Sequence, residues 1–228
     1  IENDTSINMG IDGQDLYYSY MLFEKYKTII PNLENIVLFY SVFSPSNNLN
    51  IAPAKYRMAY YSAFFDIPYP NKLLAINEGV VKLEEKLLKL NPKYYIENLK
   101  SNHPCLNPYR FFNNKPSVED MENLAKRELK LNVRKSMNSY VDALIKECIK
   151  LNKKVFIVCD SRNPSVRNIY PDNIYENIIN ISNSYKNVEV INLFDYELNE
   201  DDFNDLLHVN MQGAQKITKI INDKINER

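Results

Sequence analysis

The sequence predicts an α/β fold, a three-layer sandwich in which a mostly parallel, flavodoxin-like central sheet is flanked by helices. Short apolar runs of strand length alternate along the chain with longer stretches of helical periodicity. The apolar runs lack polar alternation, which is typical of parallel strands buried on both faces. Hydrophobic residues make up 45% of the 228 residues and charged residues 25%, so the chain can form a sizeable core.

The first part of the chain predicts a strand, a helix and a second strand. Residues 5–9 form a short strand that runs into a pair of glycines, and residues 15–30 have apolar and aromatic residues at helical spacing. Residues 35–43, NIVLFYSVF, are a continuous apolar run. These elements predict two parallel strands joined by a right-handed crossover.

Residues 44–115 are too long for a simple connection, and they predict a largely helical insertion in a single domain that spans residues 1–228. Within the insertion, residues 71–90 predict an amphipathic helix. Its apolar stripe contains Leu83, Leu87 and Leu90. An aromatic group precedes this helix and either packs in the core, which its spacing favours, or lines a cleft. Its members are Tyr56, Tyr60, Tyr61, Phe64 and Phe65.

The second half predicts alternating helices and strands. Residues 117–151 read as a long helix that begins with a capping box and breaks near Asn132. Residues 154–159 (KVFIVC) and 187–194 (NVEVINLF) predict two more buried strands, with a helix from Pro171 to about Tyr185 between them. A last helix carries the apolar stripe Ala214, Ile217, Ile221 and Ile225.

The charge and cysteine content exclude several classes of protein. Net charge is −1 with mixed signs, so we expect no nucleic-acid partner, and no apolar run is long enough for a membrane span. Cys105, Cys148 and Cys159 lack the spacing of a disulfide framework or a zinc site, which predicts reduced thiols. We therefore expect a cytoplasmic protein, with association with the cell envelope as the alternative.

An acid–histidine pair near the C-terminus is the most informative candidate site. Asp205 precedes His208 by three residues, in a loop that follows the last predicted strand. A carboxylate can hold the Nδ1–H of an imidazole while Nε2 acts as a base, although an exposed loop histidine with an acidic neighbour is the alternative. The other histidine, His103, has no nearby acid and reads as structural or exposed.

Four predicted site residues lie where strands end. In open α/β sheets, ligands bind at the carboxyl ends of the strands. Gly13, Ser41, Ser161 and His208 would all lie on that edge. This placement favours a catalytic role for His208.

Two segments resemble conserved blocks of the SGNH (GDSL-like) hydrolases. Residues 8–14, NMGIDGQ, resemble the second block, in which a strand ends in N-x-G-x-x-G. Asp205-x-x-His208 resembles the fifth block, and the order and separation of the two blocks also fit. The resemblance covers most of the chain, with residues 44–115 as a variable region. The run GQDLYY further resembles bacterial members associated with surface-glycan or lipid-linked acyl chemistry.

The resemblance implies serine-dependent acyl transfer. His208 would be the general base, and Asp205 would orient its imidazole. The backbone N–H of Gly13 would donate into the oxyanion hole. Asn210 and Gly213 are interpreted as structural residues: Asn210 caps the last helix, and Gly213 leaves room for it to approach the neighbouring backbone.

The chain departs from the family in its third block and in its first block. The third block, G-x-N-D, should fall near residues 41–44, where the Gly and the Asn are absent. Ser41 either supplies a hydroxyl to the oxyanion hole or is a loop serine at the end of a strand. The Gly-Asp-Ser of the first block has no room in the seven residues before Asn8.

Three explanations of the missing nucleophile remain open. The serine lies upstream of this chain, which we favour, or it is Ser161, which follows Asp160 at the end of a predicted strand. In the third explanation, the chain is a non-catalytic relative that binds glycan.

We therefore expect a serine-type ester hydrolase or O-acyl (acetyl) transferase that acts on a carbohydrate or cell-envelope ester. The alternative is an inactive SGNH-like glycan-binding or scaffolding domain. A nucleotide-binding protein is a third possibility, but Gly10-x-x-Gly13 lacks the full dinucleotide fingerprint. No cofactor is implied, and two isolated histidines without a cysteine cluster predict no metal site.

Overall fold

The structure, a computed structural model, describes residues 6–11, 13–30, 32–51, 55–70, 75–93, 117–132, 137–171 and 173–227. Contacts divide the chain into two compact units. The sheet unit comprises Ile1–Asn8, Asn32–Ser46 and Phe111–Arg228, and the helical unit comprises Met9–Pro31 and Asn47–Arg110. The insertion predicted for residues 44–115 overlaps the helical unit, which also includes the segment of the first helix. A single domain with an insertion stays a prediction.

Seven helices and three strands are described. The helices are α1 (Leu16–Tyr26), α2 (Met58–Phe65), α3 (Ala75–Leu90), α4 (Val118–Asn132), α5 (Asn138–Lys150), α6 (Glu176–Asn183) and α7 (Met211–Asn226). The strands are β1 (Asn35–Tyr40), β2 (Lys154–Cys159) and β3 (Val188–Asn192). Among the described residues, no helix is long and apolar enough to cross a membrane.

The sheet unit contains a parallel sheet with the strand order β1-β2-β3. The register pairs Val37 with Phe156 and Phe156 with Glu189. Helix α7 packs Ile217 and Ile221 against Phe156 and other apolar residues of the sheet. Strand alternation places Tyr40 on the opposite side of β1 from Val37, where its hydroxyl donates to Asn138 Oδ1 of α5 at 2.7 Å. The mixed α/β class and the parallel sheet are therefore confirmed.

Burial on both faces was predicted for all three strands, and it is found only for β2. Residues 155–159 of β2 are buried, whereas most of β3 is half-buried and Phe39 of β1 is 61% exposed. Strands β1 and β3 each have one neighbour among the described strands, so they lie at the edges of the sheet. Because Phe39 is uncovered, a complete three-layer sandwich stays a prediction.

Two strand predictions at the start of the chain need correction. The predicted strand at residues 5–9 is wrong over its described residues 6–9, which are irregular and include an exposed Ile7. An isolated strand gains neither ladder hydrogen bonds nor a buried face there, and the predicted crossover to β1 is lost with it. Strand β1 ends at Tyr40 rather than at residue 43, because Ser41 opens a turn in which its Oγ accepts from the Phe43 N–H at 3.2 Å.

The predicted capping box and helix break are confirmed. The Ser117 N–H donates to Asp120 Oδ2 at 2.9 Å, and the Asp120 N–H donates to Ser117 Oγ at 3.1 Å. Helix α4 ends at Asn132 and α5 begins at Asn138, so the long helix is two helices. Helix α6 begins at Glu176, later than the predicted Pro171, because residues 173–175 form a turn.

An aromatic-rich core stabilises the helical unit. The rings of Tyr18 and Tyr61 stack with centroids 3.8 Å apart. The other buried members of this core are Leu22, Leu49, Met58, Ala59, Ile67, Val81 and Leu88. Core packing is thus confirmed for Tyr61, and for Tyr60 and Phe65, which pack against the same core. It is wrong for Tyr56 and Phe64, which are exposed.

Helix α3 faces the core with a different stripe from the predicted one. Val81 and Leu88 are fully buried, whereas Leu83, Leu87 and Leu90 are 60%, 42% and 72% exposed. Glu85 helps to set this orientation, because its Oε1 accepts from Ser62 Oγ of α2 at 3.0 Å. The helix therefore has an apolar stripe on its exposed side as well as on its buried side.

Candidate active site

A short loop at the end of the sheet unit holds the predicted acid–histidine pair. Its two ends are joined by an isolated antiparallel bridge between Phe203 and Val209. Inside the bridge, the Asn204 N–H donates to the His208 carbonyl at 2.7 Å, and Asn204 Nδ2 donates to the Val209 carbonyl at 3.3 Å. Backbone hydrogen bonds therefore fix the position of His208.

The predicted contact between Asp205 and His208 is present. His208 Nδ1 lies 2.9 Å from Asp205 Oδ2 and 3.1 Å from Oδ1. Oδ1 also accepts from the backbone N–H groups of Leu207 and His208, each at 2.7 Å. A carboxylate held in this way favours the tautomer with a proton on Nδ1, in which Nε2 is the basic nitrogen.

The two side chains of the pair differ in exposure. The Asp205 side chain is 7% exposed and that of His208 is 56% exposed. Burial by itself would raise the pKa of Asp205. The hydrogen bonds from the His208 ring and from the backbone N–H groups of Leu207 and His208 outweigh burial, so the pKa of Asp205 is lowered below its usual range. Asp205 thus stays ionised at neutral pH beside an imidazole that solvent can reach.

The start of α7 confirms the structural roles predicted for Asn210 and Gly213. Asn210 is the N-cap, and its Oδ1 accepts from the Gly213 N–H at 3.0 Å. A Cβ at Gly213 would lie 2.2 Å from the carbonyl oxygen of Asp202. Asp202 is fully buried, and its carboxylate lies 2.8 Å from Lys216 Nζ of α7. Close backbone approach therefore joins the His208 loop to the helix.

A shallow groove of about 460 Å³ lies beside this loop. Leu207 contributes one wall, and α4 contributes the other. The residues of α4 are Asp120, Met121, Asn123, Leu124 and Arg127. The groove is lined by both apolar and polar residues, and its volume is within the range of small-ligand sites.

Ser161 lies at the carboxyl end of β2, as the sequence predicted, but it is not paired with the imidazole. Its side chain is buried. Two residues later, Asn163 Nδ2 approaches the backbone carbonyl of Asp205 at 3.5 Å. The structure thus connects the end of β2 with the Asp205 loop through Asn163 rather than through Ser161.

The two predicted oxyanion donors differ in how they are engaged. Ser41 Oγ accepts from the Phe43 N–H and lies 3.4 Å from Ser44 Oγ, which is the arrangement of a serine that shapes a turn. Gly13 belongs to the helical unit and has a φ of +69°. Its N–H makes no hydrogen bond to any described residue, while its carbonyl accepts from Asn47 Nδ2 at 3.3 Å. The roles of both residues stay predictions.

The sequence reading missed an ion pair directly after β2, between a buried Arg162 and a half-buried Asp160. Arg162 Nη1 lies 2.8 Å from Asp160 Oδ2, and the Arg162 side chain is 2% exposed. Burial raises the pKa of Asp160 to about 6, and the charge of Arg162 and the hydrogen bond from the Val42 N–H oppose that rise. Two opposite charges separated by one residue after a buried strand are the signal that was available in the sequence.

Metal-binding and thiol chemistry have no candidate in the described residues. No group of three or more His, Cys, Asp or Glu side chains there is placed to hold a metal ion. Cys148 and Cys159 are buried in the sheet unit. His103 and Cys105 lie outside the described residues.

No protein family, curated protein or solved structure with which the chain was compared matches it.

Proposed function

We propose that the protein catalyses acyl transfer from an ester, with His208 as general base and Asp205 as the residue that orients it. The observation that carries this proposal is the hydrogen bond of 2.9 Å between His208 Nδ1 and a buried Asp205 carboxylate. An exposed imidazole can reach a substrate as a general base, and a buried carboxylate holds that imidazole in position. The resemblance to SGNH hydrolases, which rests on the blocks around Gly13 and His208, agrees with this chemistry.

In the proposed mechanism, His208 Nε2 takes the proton of a serine hydroxyl as the serine oxygen attacks the ester carbonyl. The carbonyl oxygen becomes an oxyanion, and the imidazolium is stabilised by Asp205. Collapse of the intermediate breaks the bond to the leaving alcohol, which takes the proton from His208. Water or a sugar hydroxyl then attacks the acyl-enzyme in the same way, so that the product is a free acid or a new ester.

The nucleophile in this proposal is a serine, and Ser161 is its candidate among the described residues. Ser161 is buried and lies in the same unit as His208. Gly13 N–H remains the proposed oxyanion donor. Ser41 is the weaker candidate, because its hydroxyl already shapes a turn. A carbohydrate ester is the proposed substrate class.

Hydrolysis of p-nitrophenyl acetate tests the proposal. We expect His208→Ala to lower kcat/KM by about 10²-fold or more, and Asp205→Asn to lower it by a similar amount through the wrong imidazole tautomer. Asp201→Asn is the matched control, because Asp201 is an exposed acid in the neighbouring turn and should leave the rate unchanged. Equal rates for the wild type and His208→Ala would remove His208 from the mechanism.

The alternative proposal is a glycan-binding or scaffolding domain without catalysis. The hydrogen bonding of Ser41 and the burial of Ser161 favour this alternative. Labelling with a fluorophosphonate probe discriminates between the two proposals, because the probe reacts with an activated serine. Labelling of the wild type that is lost in His208→Ala supports the enzyme. Absence of labelling together with retained glycan binding supports the binding domain.

A further inference from the structure

The guanidinium of Arg162 lies beside two aromatic rings, and its hydrogen bonds are satisfied at only one edge. Its central carbon lies 5.4 Å from the centre of the Phe43 ring and 5.1 Å from that of the Tyr170 ring. The N–H groups of a guanidinium donate hydrogen bonds only in its own plane. Asp160 Oδ2 accepts from Nη1 at 2.8 Å, at one edge of the group.

The opposite edge of the guanidinium has two buried donors without an acceptor. Nε and Nη2 of Arg162 are buried and make no hydrogen bond to any described residue. Each buried donor left unpaired destabilises the folded state, because it loses its hydrogen bonds to water without replacement. Native structures keep few such groups, and those that remain call for a ligand, an ordered water or a strained state as their explanation.

The geometry of this edge selects the kind of ligand. The N–H bonds of Nε and Nη2 are parallel, so the two oxygens of a carboxylate or phosphate accept both of them in line. A single water oxygen can accept both donors only in bent hydrogen bonds, which are weaker than linear ones.

We propose that the Nε–Nη2 edge of Arg162 binds the carboxylate or phosphate group of a small anionic ligand at the carboxyl end of β2. The location agrees with the general position of ligand sites in open parallel sheets. Because the donors are buried, the ligand enters when the segment 163–170 or the Phe43 side chain moves. The proposal does not depend on the acyl-transfer function, since it rests on Arg162 and not on His208.

Isothermal titration calorimetry at constant ionic strength tests the proposal, with acetate, glucuronate, inorganic phosphate and glucose 6-phosphate as ligands and glucose as the neutral control. We expect the wild type to bind at least one of the four anions and not glucose. The carboxylate and phosphate ligands form separate arms, which identify the acidic group that the site prefers.

Two substitutions at Arg162 separate the effect of its two parallel N–H donors from the effect of its charge. Arg162→Lys keeps the positive charge but lacks parallel donors, and we expect it to weaken binding about 10-fold or more. Arg162→Met removes the charge, and we expect it to abolish binding. If Arg162→Met fails to fold, Arg162→Lys alone decides the question. Arg167→Gln is the matched control on the same segment, and it should retain wild-type affinity.

The variants also distinguish this site from the proposed active site. His208→Ala should bind the anion as tightly as the wild type, whatever it does to ester hydrolysis. Binding of no anion by the wild type would overturn the proposal and assign the two donors to a buried water. Equal affinity in the wild type and Arg162→Lys would overturn the proposal too, because the parallel donors Nε and Nη2 would then contribute nothing to binding.

Discussion

Gly213 shows how one residue without a side chain positions the His208 loop. The backbone of the loop and the first turn of α7 approach so closely that a Cβ at residue 213 would lie 2.2 Å from the Asp202 carbonyl oxygen and 3.0 Å from Val209 Cβ. Real Cβ atoms do not come that close to a carbonyl oxygen, so one of the two backbones has to move. Gly79 is the opposite case, because no atom lies within 4 Å of a Cβ built there.

Alanine substitutions at these two glycines should therefore have opposite effects on the free energy of unfolding. We expect Gly213→Ala to destabilise the protein by about 1–3 kcal/mol through overpacking. Gly79→Ala should stabilise it by about 0.5–1 kcal/mol, because Gly79 is an exposed residue within α3. Urea denaturation measures both. A neutral Gly213→Ala variant would mean that the contact with Asp202 relaxes at no cost.

Helix α3 shows the limits of periodicity at the scale of one element. Val81 and Leu88 are seven residues apart and both are buried, while Leu83, Leu87 and Leu90 form a second apolar stripe that is exposed. A helix with two apolar stripes has no unique inward face by pattern alone. The polar contact of Glu85 with Ser62 of α2 is consistent with the orientation that buries Leu88.

The two adjacent leucines of α3 provide a matched test. We expect Leu88→Ala to lower the free energy of unfolding by about 2–5 kcal/mol, because it leaves a cavity in the core of the helical unit. Leu87→Ala should cost less than about 1 kcal/mol, since Leu87 is 42% exposed. The midpoints of urea denaturation provide the comparison. A larger effect at Leu87 would show that the exposed stripe is the one that packs.

At the scale of the whole molecule, stability depends on pH through acids whose pKa values shift in opposite directions. The pKa of Asp205 is lowered, so its contribution is present above the ordinary value of 3.8 and is lost as the pH falls through the folded pKa. The pKa of Asp160 is raised to about 6, so its contribution is complete below 3.8 and is lost as the pH rises through 6. The two effects occupy different pH ranges.

The Asp160 contribution can be measured between pH 5 and pH 7. With folded and ordinary pKa values of about 6 and 3.8, Asp160 should lower the free energy of unfolding by on the order of 1 kcal/mol across this interval. Asp160→Asn should remove that slope, whatever it does to absolute stability. Asp201→Asn should keep it, because Asp201 is exposed. An unchanged slope in Asp160→Asn would assign the pH dependence to another group.

The sequence predicted the local features of this molecule better than the arrangements that depend on distant parts of the chain. Strand β2, the Ser117–Asp120 capping box and the contact of Asp205 with His208 follow from residues close together in sequence, and all three are confirmed. The edge position of β1, with Phe39 exposed, depends on which strands lie beside it, and the apolar run NIVLFY carries no such information. The opposite charges of Asp160 and Arg162 after β2 are visible in the sequence, but their pairing and the burial of Arg162 were missed because local sequence does not specify which charged side chains turn inward.

The hydrogen bonds of the His208 loop also determine which nearby positions can be substituted without moving the imidazole. The imidazole is positioned by main-chain groups of Asn204 and Val209, by the Asp205 carboxylate and by the close approach of the Gly213 backbone to the loop. Asn123 and Leu124, which line the neighbouring groove, belong to another element, α4. Substitutions at these two positions can therefore accumulate without altering the backbone hydrogen bonds of the loop, so the lining of the groove and the anchoring of the imidazole can change independently.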